Sequence, residues 1–400
     1  MKVGIDICSI KRIEDILNEK FINKILTEDE ITQFNSKGQM KPTYIAGRFA
    51  AKEALSKAIG TGIGKVGFKD IEVLNYDSGE PFIKLSGNGE RLWFEKFKEE
   101  PVVSISHEND YAVAIVIGNC KEENFNINPP FSLKERDRKG HKGSFGKVGI
   151  IAGSKGMVGS VYLSSMAALR SGSGLVYTGV CEEIYEIMQI KCIENIIKMI
   201  DFEDFNSLNN FYDNLDALGV GPGLRNVMNL KTLEHILKTF FKPIVIDADG
   251  LNTISEDLSI LSQNKNLILT PHEGEFSRLL NVPLSQISSN REFLAKSFAK
   301  QHSVILVLKG SNTIVTDGNE IYVNKSGTSG LATAGSGDVL TGIITSLLGQ
   351  GYEKLQAACL GVYIHGLCGN FLEQKFGTDG IIAGDILNEI PMVIKALRET

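Results

Sequence analysis

Val148-Gly-Ile-Ile-Ala152 is a short, continuous apolar run that stops at the glycine-rich Gly153-Ser-Lys-Gly-Met-Val-Gly159. Four further runs of the same kind follow: Ala217-Leu-Gly-Val220, Pro243-Ile-Val-Ile246, Leu267-Ile-Leu-Thr270 and Val304-Ile-Leu-Val-Leu308. None alternates apolar with polar residues, so each is expected to be a strand covered on both faces. Helical stretches separate them, and each ends in a loop bearing glycine, aspartate or histidine. That order predicts an α/β region with a doubly wound, mostly parallel sheet whose ligands sit beyond the carboxyl ends of the strands.

Working towards the N-terminus, the pattern changes. A strand at 2–7, a helix at about 43–59, a strand at 70–75 and two strands at 102–106 and 111–117 alternate irregularly, which predicts a small α+β domain. The seam is Cys120-Lys-Glu-Glu-Asn-Phe-Asn-Ile-Asn-Pro-Pro130, where an apolar run gives way to polar residues and two prolines. Domains are therefore expected at 1–119 and 125–400, in keeping with a 400-residue chain that exceeds one ordinary core.

Charge narrows the partners. With 42 Lys and Arg against 48 Asp and Glu, the chain lacks the basic surplus that binding a phosphate backbone needs, so nucleic acid is not expected as a partner. The six cysteines show no Cys-x-x-Cys pair and read as reduced thiols. Met1-Lys-Val-Gly-Ile-Asp6 does not resemble a leader, and no uninterrupted apolar run approaches the roughly 18 residues of a bilayer span, so no membrane partner and a cytoplasmic setting are expected.

Two stretches carry chemistry. In Arg48-Phe-Ala-Ala-Lys-Glu-Ala-Leu-Ser-Lys-Ala58 a helical wheel places Ala50, Ala51, Ala54, Leu55 and Ala58 on one arc and Arg48, Lys52, Glu53, Ser56 and Lys57 on the other. Glu53 and Lys57, four apart, can be a plain surface ion pair. Asp6 argues for more, because a carboxylate inside the apolar strand Gly4-Ile-Asp-Ile7 needs a cation or a metal. His107 ends the strand Val102-Val-Ser-Ile-Ser-His107, and Gly60-Thr-Gly-Ile-Gly64 supplies an amide-rich loop. Two carboxylates suit Mg²⁺ bound together with a diphosphate.

Taken together, Gly4-Ile-Asp-Ile7, Arg12-Ile13, Ala46-Gly-Arg-Phe-Ala-Ala-Lys-Glu-Ala-Leu-Ser-Lys-Ala58, Gly60-Thr-Gly-Ile-Gly64 and Ser104-Ile-Ser-His-Glu108 resemble holo-[acyl-carrier-protein] synthase over residues 1 to about 118. The resemblance implies transfer of 4′-phosphopantetheine from coenzyme A to a serine of acyl carrier protein. It implies Asp6 and Glu53 as Mg²⁺ ligands, and Lys57 or a metal-bound water as the group that deprotonates the serine. Arg48, Lys52, Gly62 and His107 would face coenzyme A, Arg12 would meet the carrier, and the domain would assemble as a trimer with sites between subunits. Cys8, just after the Asp6 segment, is the departure from the family's pattern.

The second stretch is Ala334-Gly-Ser-Gly-Asp-Val339, ahead of an apolar helix. Glycines and a helix start suit phosphate. Asp338 can serve there as a helix cap or as a base. Gly219-Val-Gly-Pro-Gly-Leu224, Asp247-Ala-Asp-Gly-Leu-Asn252, Thr270-Pro-His-Glu-Gly-Glu-Phe276 and Lys309-Gly-Ser-Asn-Thr313 all fall on the ligand edge of the expected sheet.

From His141-Lys-Gly-Ser-Phe-Gly-Lys-Val148 to Asp338, over about residues 128–395, the chain resembles the ADP-dependent NAD(P)H-hydrate dehydratases, which have a ribokinase-like fold. The resemblance implies repair of NADH and NADPH hydrate at the expense of ADP. Asp338 would be the base; Ser160, Gly223 and His272 would bind the hydrate; Lys309, Gly310, Ser311, Asn312, Thr313 and Gly337 would hold the nucleotide. Gly250, Ser160 and Ser336 depart from the residues usual at those motif positions. The alternatives are a ribokinase-like kinase using ATP for this half and a trimerising scaffold for the first.

Overall fold

The computed structural model describes residues 1–120 and 127–399, so residues 121–126 of the expected seam lie outside the described residues. The chain divides into two compact units, 1–126 and 127–400.

In the first unit β1 (Lys2–Ser9), β5 (Tyr111–Gly118) and β4 (Val102–Glu108) form an antiparallel sheet in the order β1-β5-β4, and β2 (Ile71–Asn75) pairs with β3 (Pro81–Leu85) as a hairpin. The helix Lys41–Ile59 lies on the sheet through its alanines, and Ala50, Ala51, Ala54 and Ala58 are all buried. The approach is so close that a Cβ on Gly4 would lie 1.9 Å from the Ala54 carbonyl oxygen, which makes glycine obligatory there. Gly60 ends the helix in the left-handed conformation, its N–H donating to Ser56 and Lys57 carbonyls.

Register and the two-residue period of a strand divide the sheet into two faces. Asp6 pairs with Ala114 and Ala114 with Ile105, while Cys8 pairs with Ala112 and Ala112 with His107. Gly4, Asp6, Cys8 and His107 therefore share the face that the helix covers. Val3, Ile5, Ile7 and Ile115 occupy the other, and each is 36–61% exposed.

The second unit holds a nine-stranded sheet built from β6 (Lys147–Ile151), β7 (Leu175–Val180), β8 (Ile196–Met199), β9 (Ala217–Val220), β10 (Ile244–Ile246), β11 (Leu267–Leu269), β12 (Ile305–Leu308), β13 (Ile314–Thr316) and β14 (Ile321–Val323). Its order is β14-β13-β12-β11-β10-β9-β6-β7-β8, parallel from β12 to β8 with an antiparallel ribbon at β13 and β14. Within β10, Val245 belongs to one core, with the helices Ser336–Gly349 and Lys354–Phe376. Ile244 and Ile246 belong to another, with the helices Leu230–Thr239 and Arg291–His302. Coverage on both faces is why these strands carry no polar alternation.

Among the described residues, Lys354–Phe376 is the one helix long and apolar enough to cross a bilayer, and 72% of its apolar stretch is buried inside the fold. It is the core helix of this unit.

Candidate functional sites

In the first unit the expected constellation assembles around Asp6. Lys57, one turn after Glu53 on the long helix, places its ammonium 2.7 Å from the Asp6 carboxylate and also donates to the Ile5 carbonyl at 3.2 Å. The plain Glu53 to Lys57 surface pair gives way to this cross-element bond. Burial raises the Glu53 carboxyl above its usual range, the Asp6 charge adds to that, and Lys57 opposes it. Glu53 and Asp6 are thus close enough to repel each other. A divalent cation relieves that repulsion, so the donor set fits Mg²⁺, which is content with one or two carboxylates plus waters and phosphate oxygens. Among the described residues no cluster of three or more such ligands occurs anywhere in the chain. His107 is exposed on β4, Arg12 is exposed on the helix Ile10–Ile16, and Gly62 adopts φ +68 with open space around it.

Arg48 and Lys52 are corrections. Both lie on the arc read as polar, yet both turn into the domain. Lys52 is fully buried, 2.6 Å from the equally buried Glu30, and it donates to the Ile25 and Phe68 carbonyls at 2.7 and 2.9 Å. Burial lowers the Lys52 ammonium, and Glu30 counters it. Arg48 lies 3.9 Å above the Tyr44 ring and donates to the Val73 carbonyl at 3.1 Å and to Asn75. All three Lys52 donors are engaged inside the domain, and the buried Arg48 ties β2 to the helix through Val73 and Asn75, so both turn away from a phosphate on the surface. Glu30 was not anticipated. The capping box Thr27-Glu-Asp-Glu30 was its only visible signal.

In the second unit the loops after β6, β9, β10, β11 and β12 converge on the start of the helix Ser336–Gly349. Gly335 is the cap of this helix, in the left-handed conformation, and Asp338 stands at its third position. Gly335 therefore occupies the N-cap position, and Asp338, at the third helical residue, is not the N-cap residue. Burial raises the Asp338 carboxyl to about 6; Asp247 and Asp249 push the same way, against a hydrogen bond from the Ser160 side chain and the charge of Lys309. Gly223 approaches Ser160 so closely that a Cβ on it would fall 2.9 Å from the Ser160 Cβ. Ser160, Gly223 and Asp338 therefore share one corner.

Beside that corner opens a cavity of about 770 Å³, lined by Lys309 to Thr313, Gly337 and His272. Lys309 places its ammonium 2.5 Å from Asp247 and 3.8 Å from Glu275. Burial alone would lower this lysine, but the two carboxylates outweigh it and raise it. His272 caps the helix Glu273–Leu280: its Nδ1 accepts from the Gly274 and Glu275 amides at 2.9 and 3.2 Å, which leaves the proton on Nε2. Arg291 donates to the Ser311 carbonyl at 2.6 Å and steadies the loop. Residues that the sequence did not single out complete the walls: the segment 324–329 and His365. The His365 Nε2 lies 3.0 Å from the Ser336 carbonyl oxygen, and burial holds its pKa down to about 4.

These geometries agree with comparisons to known proteins. The family model described as NAD(P)H-hydrate dehydratase matches residues 148–392, and that of the 4′-phosphopantetheinyl transferase superfamily matches residues 2–116. The ADP-dependent (S)-NAD(P)H-hydrate dehydratase of Neisseria meningitidis is 39% identical over 64% of this chain and 88% of its own length. The bifunctional NAD(P)H-hydrate repair enzyme of Moorella thermoacetica is 37% identical over 67% of this chain and 52% of its own, so the chain spans about half the length of that relative. A crystal structure of the ADP/ATP-dependent NAD(P)H-hydrate dehydratase from Bacillus subtilis, co-crystallised with ATP and Mg²⁺, superposes with TM-score 0.57 at 26% identity, covering 66% of this chain and 95% of that one. The fold is thus ribokinase-like in the second unit, with a phosphopantetheinyl transferase domain ahead of it, and the chain belongs to the NAD(P)H-hydrate dehydratase family.

Proposed function

We propose that the chain is a bifunctional enzyme: a dehydratase that restores NADH and NADPH from their S hydrates at the expense of ADP, and a transferase that moves 4′-phosphopantetheine from coenzyme A to a serine of acyl carrier protein. The observation that carries the first activity is Asp338, half-buried with its carboxyl raised to about 6, beside a cavity whose wall holds Lys309. A base with that affinity for protons can take the hydroxyl proton of the hydrate as ADP delivers its terminal phosphoryl group to the oxygen. AMP remains. Departure of phosphate from the ring carbon, with loss of a ring proton, then restores the double bond. Ser160, Gly223 and the Nε2–H of His272 orient the hydrate, while Lys309, the backbone of Gly310 to Thr313 and the amide of Gly337 hold the nucleotide. The hydrate dehydratase activity named for the relatives supports this reading over a small-molecule kinase.

For the transferase, Asp6 and Glu53 would hold Mg²⁺, which when bound would supply positive charge for the diphosphate of coenzyme A. Asp6 holds the Lys57 ammonium protonated, its pKa raised above the ordinary lysine range, so Lys57 would orient the site while a water at the metal position would take the serine proton. Arg12 meets the acidic carrier, and His107 with the Gly62 loop faces coenzyme A. The exposed apolar face of Val3, Ile5, Ile7 and Ile115 supports assembly through this domain, as a trimer. Free thiols at all six cysteines suit a cytoplasmic setting.

One experiment tests both activities. The purified chain is assayed for AMP release from ADP with NADH hydrate, and for adenosine 3′,5′-bisphosphate release from coenzyme A with apo carrier protein. Absence of either product removes that half of the reading.

A further inference from the structure

Asp247 lies at the carboxyl end of β10 and is 1% exposed, yet it sits in an ion pair. One carboxylate oxygen accepts from the Lys309 ammonium at 2.5 Å; the other accepts from the Thr341 hydroxyl at 2.8 Å. Lys309 belongs to the nucleotide loop, and Thr341 lies one turn beyond Asp338 on the same helix. The next residue, Ala248, adopts φ 47 and ψ −116, a conformation that a residue with a Cβ holds only under constraint. Behind the loop, a Cβ on Gly221 would fall 1.9 Å from the Asp247 carbonyl oxygen, so the turn has no room to relax that way.

We infer that Asp247 is a positioning residue that ties the phosphate-binding lysine to the helix of the base, holding Lys309 and Asp338 in one fixed relation and keeping the lysine charge partly neutralised. The inference rests on the reading of Asp338 as the base. The charged groups that act on Asp338 are Asp247 at the end of β10, Asp249 at the following helix and Lys309 at the end of β12, with Glu275 behind Lys309 and the uncharged Ser160 opposite. Asp247 acts twice here. Its own charge disfavours ionisation of Asp338, and its bond to Lys309 offsets the cation that favours it.

The consequences have definite signs. In Asp247→Asn the negative charge vanishes and Lys309 loses its nearest partner, so both changes move the acid limb of the kcat/KM profile for dehydration to lower pH, by about one unit. ADP affinity does not weaken, because a carboxylate near the phosphates has gone, while kcat falls about tenfold or more as the lysine and the helix lose their common anchor. Lys309→Met moves the limb the other way. Thr341→Val keeps both charges, so its limb stays in place while kcat falls.

The experiment measures kcat/KM against pH with NADH hydrate for these variants and for Asp338→Asn, with ADP binding by calorimetry. An acid limb in Asp247→Asn within 0.2 units of wild type, or ADP binding weakened with the limb unmoved, overturns the inference. Should Asp247→Asn fail to fold, the opposite shift in Lys309→Met and the unmoved limb in Thr341→Val decide it. A limb that persists in Asp338→Asn refutes the base reading itself, whereas one that vanishes there but does not move in Asp247→Asn refutes only the role of Asp247.

Discussion

Lys52 and Glu30, 22 residues apart in the chain, meet at 2.6 Å with both side chains sealed from solvent. Their burial makes the pair an anchor of the first domain. Removing one partner leaves an uncompensated buried charge, which costs about 3–5 kcal/mol. Glu30→Gln and Lys52→Met are therefore expected to lower the melting temperature of the transferase domain sharply, and with it transferase activity. A Lys52→Met protein with wild-type melting and a raised KM for coenzyme A would restore the phosphate-facing role. A double Glu30→Gln, Lys52→Met variant should recover part of the loss.

The Asp6 and Glu53 pair predicts a metal dependence. Asp6→Asn removes a charged ligand and the anchor of Lys57 together, and Glu53→Gln removes a ligand alone. Both should lose carrier modification by two orders of magnitude or more, the scale on which loss of charge stabilisation by a metal is felt. The check is a titration of Mg²⁺ against release of adenosine 3′,5′-bisphosphate. Normal rates at low Mg²⁺ in both variants would remove the metal from the proposal. Glu53→Gln should be the milder in stability, since Lys57 keeps its partner there.

Arg12 predicts a separation of partners. It is exposed at the start of a short helix, where its amide donates to the Ser9 hydroxyl. Arg12→Glu should weaken carrier-protein binding and slow encounter by tenfold or more at low salt, with coenzyme A affinity unchanged. Equal losses for both ligands, measured by titration, would contradict the division.

The central strands of the second domain were legible because burial on both faces leaves an unbroken apolar run, as at Val304 to Leu308. β7, at six residues the longest of the sheet, was not, since Tyr177, Thr178 and Gly179 interrupt its run, and the edge strands β8 and β14 are only partly buried and leave no continuous apolar signal. The site residues were legible where a motif repeats a backbone need, as in Gly335 to Asp338. They were misread where the answer depended on reach. A helical wheel assigns Lys52 to an arc, but only the fold tells that Glu30 waits at the end of its four-carbon stem. Asp247 was placed on the ligand edge by its loop, but its bonds were hidden for a similar reason, since the partners Lys309 and Thr341 lie far along the chain.

Asp338 allows the sharpest prediction, because the two roles open to it in sequence separate in the fold. Gly335 occupies the N-cap position and Asp338 lies three residues on, so an asparagine in its place keeps the helix start. Asp338→Asn is isosteric, retains hydrogen bonding to Ser160, and cannot take a proton. Dehydration should fall about 10²-fold or more, the usual scale for a general base, with melting temperature and ADP affinity retained. In the wild type the base must be ionised to act. Its pKa is raised to about 6 by burial and the neighbouring aspartates, so kcat/KM for dehydration should decline as pH falls through about 6 and be fully expressed above it. An unperturbed aspartate would put that decline roughly two units lower. Transferase activity of the same protein should be indifferent to the substitution, since the two sites belong to separate compact units that share no residue. An Asp338→Asn protein that dehydrates NADH hydrate within a few-fold of wild type, or a wild-type profile flat down to pH 4, would take the proton from Asp338 and require another base in the corner shared with Ser160 and Gly223.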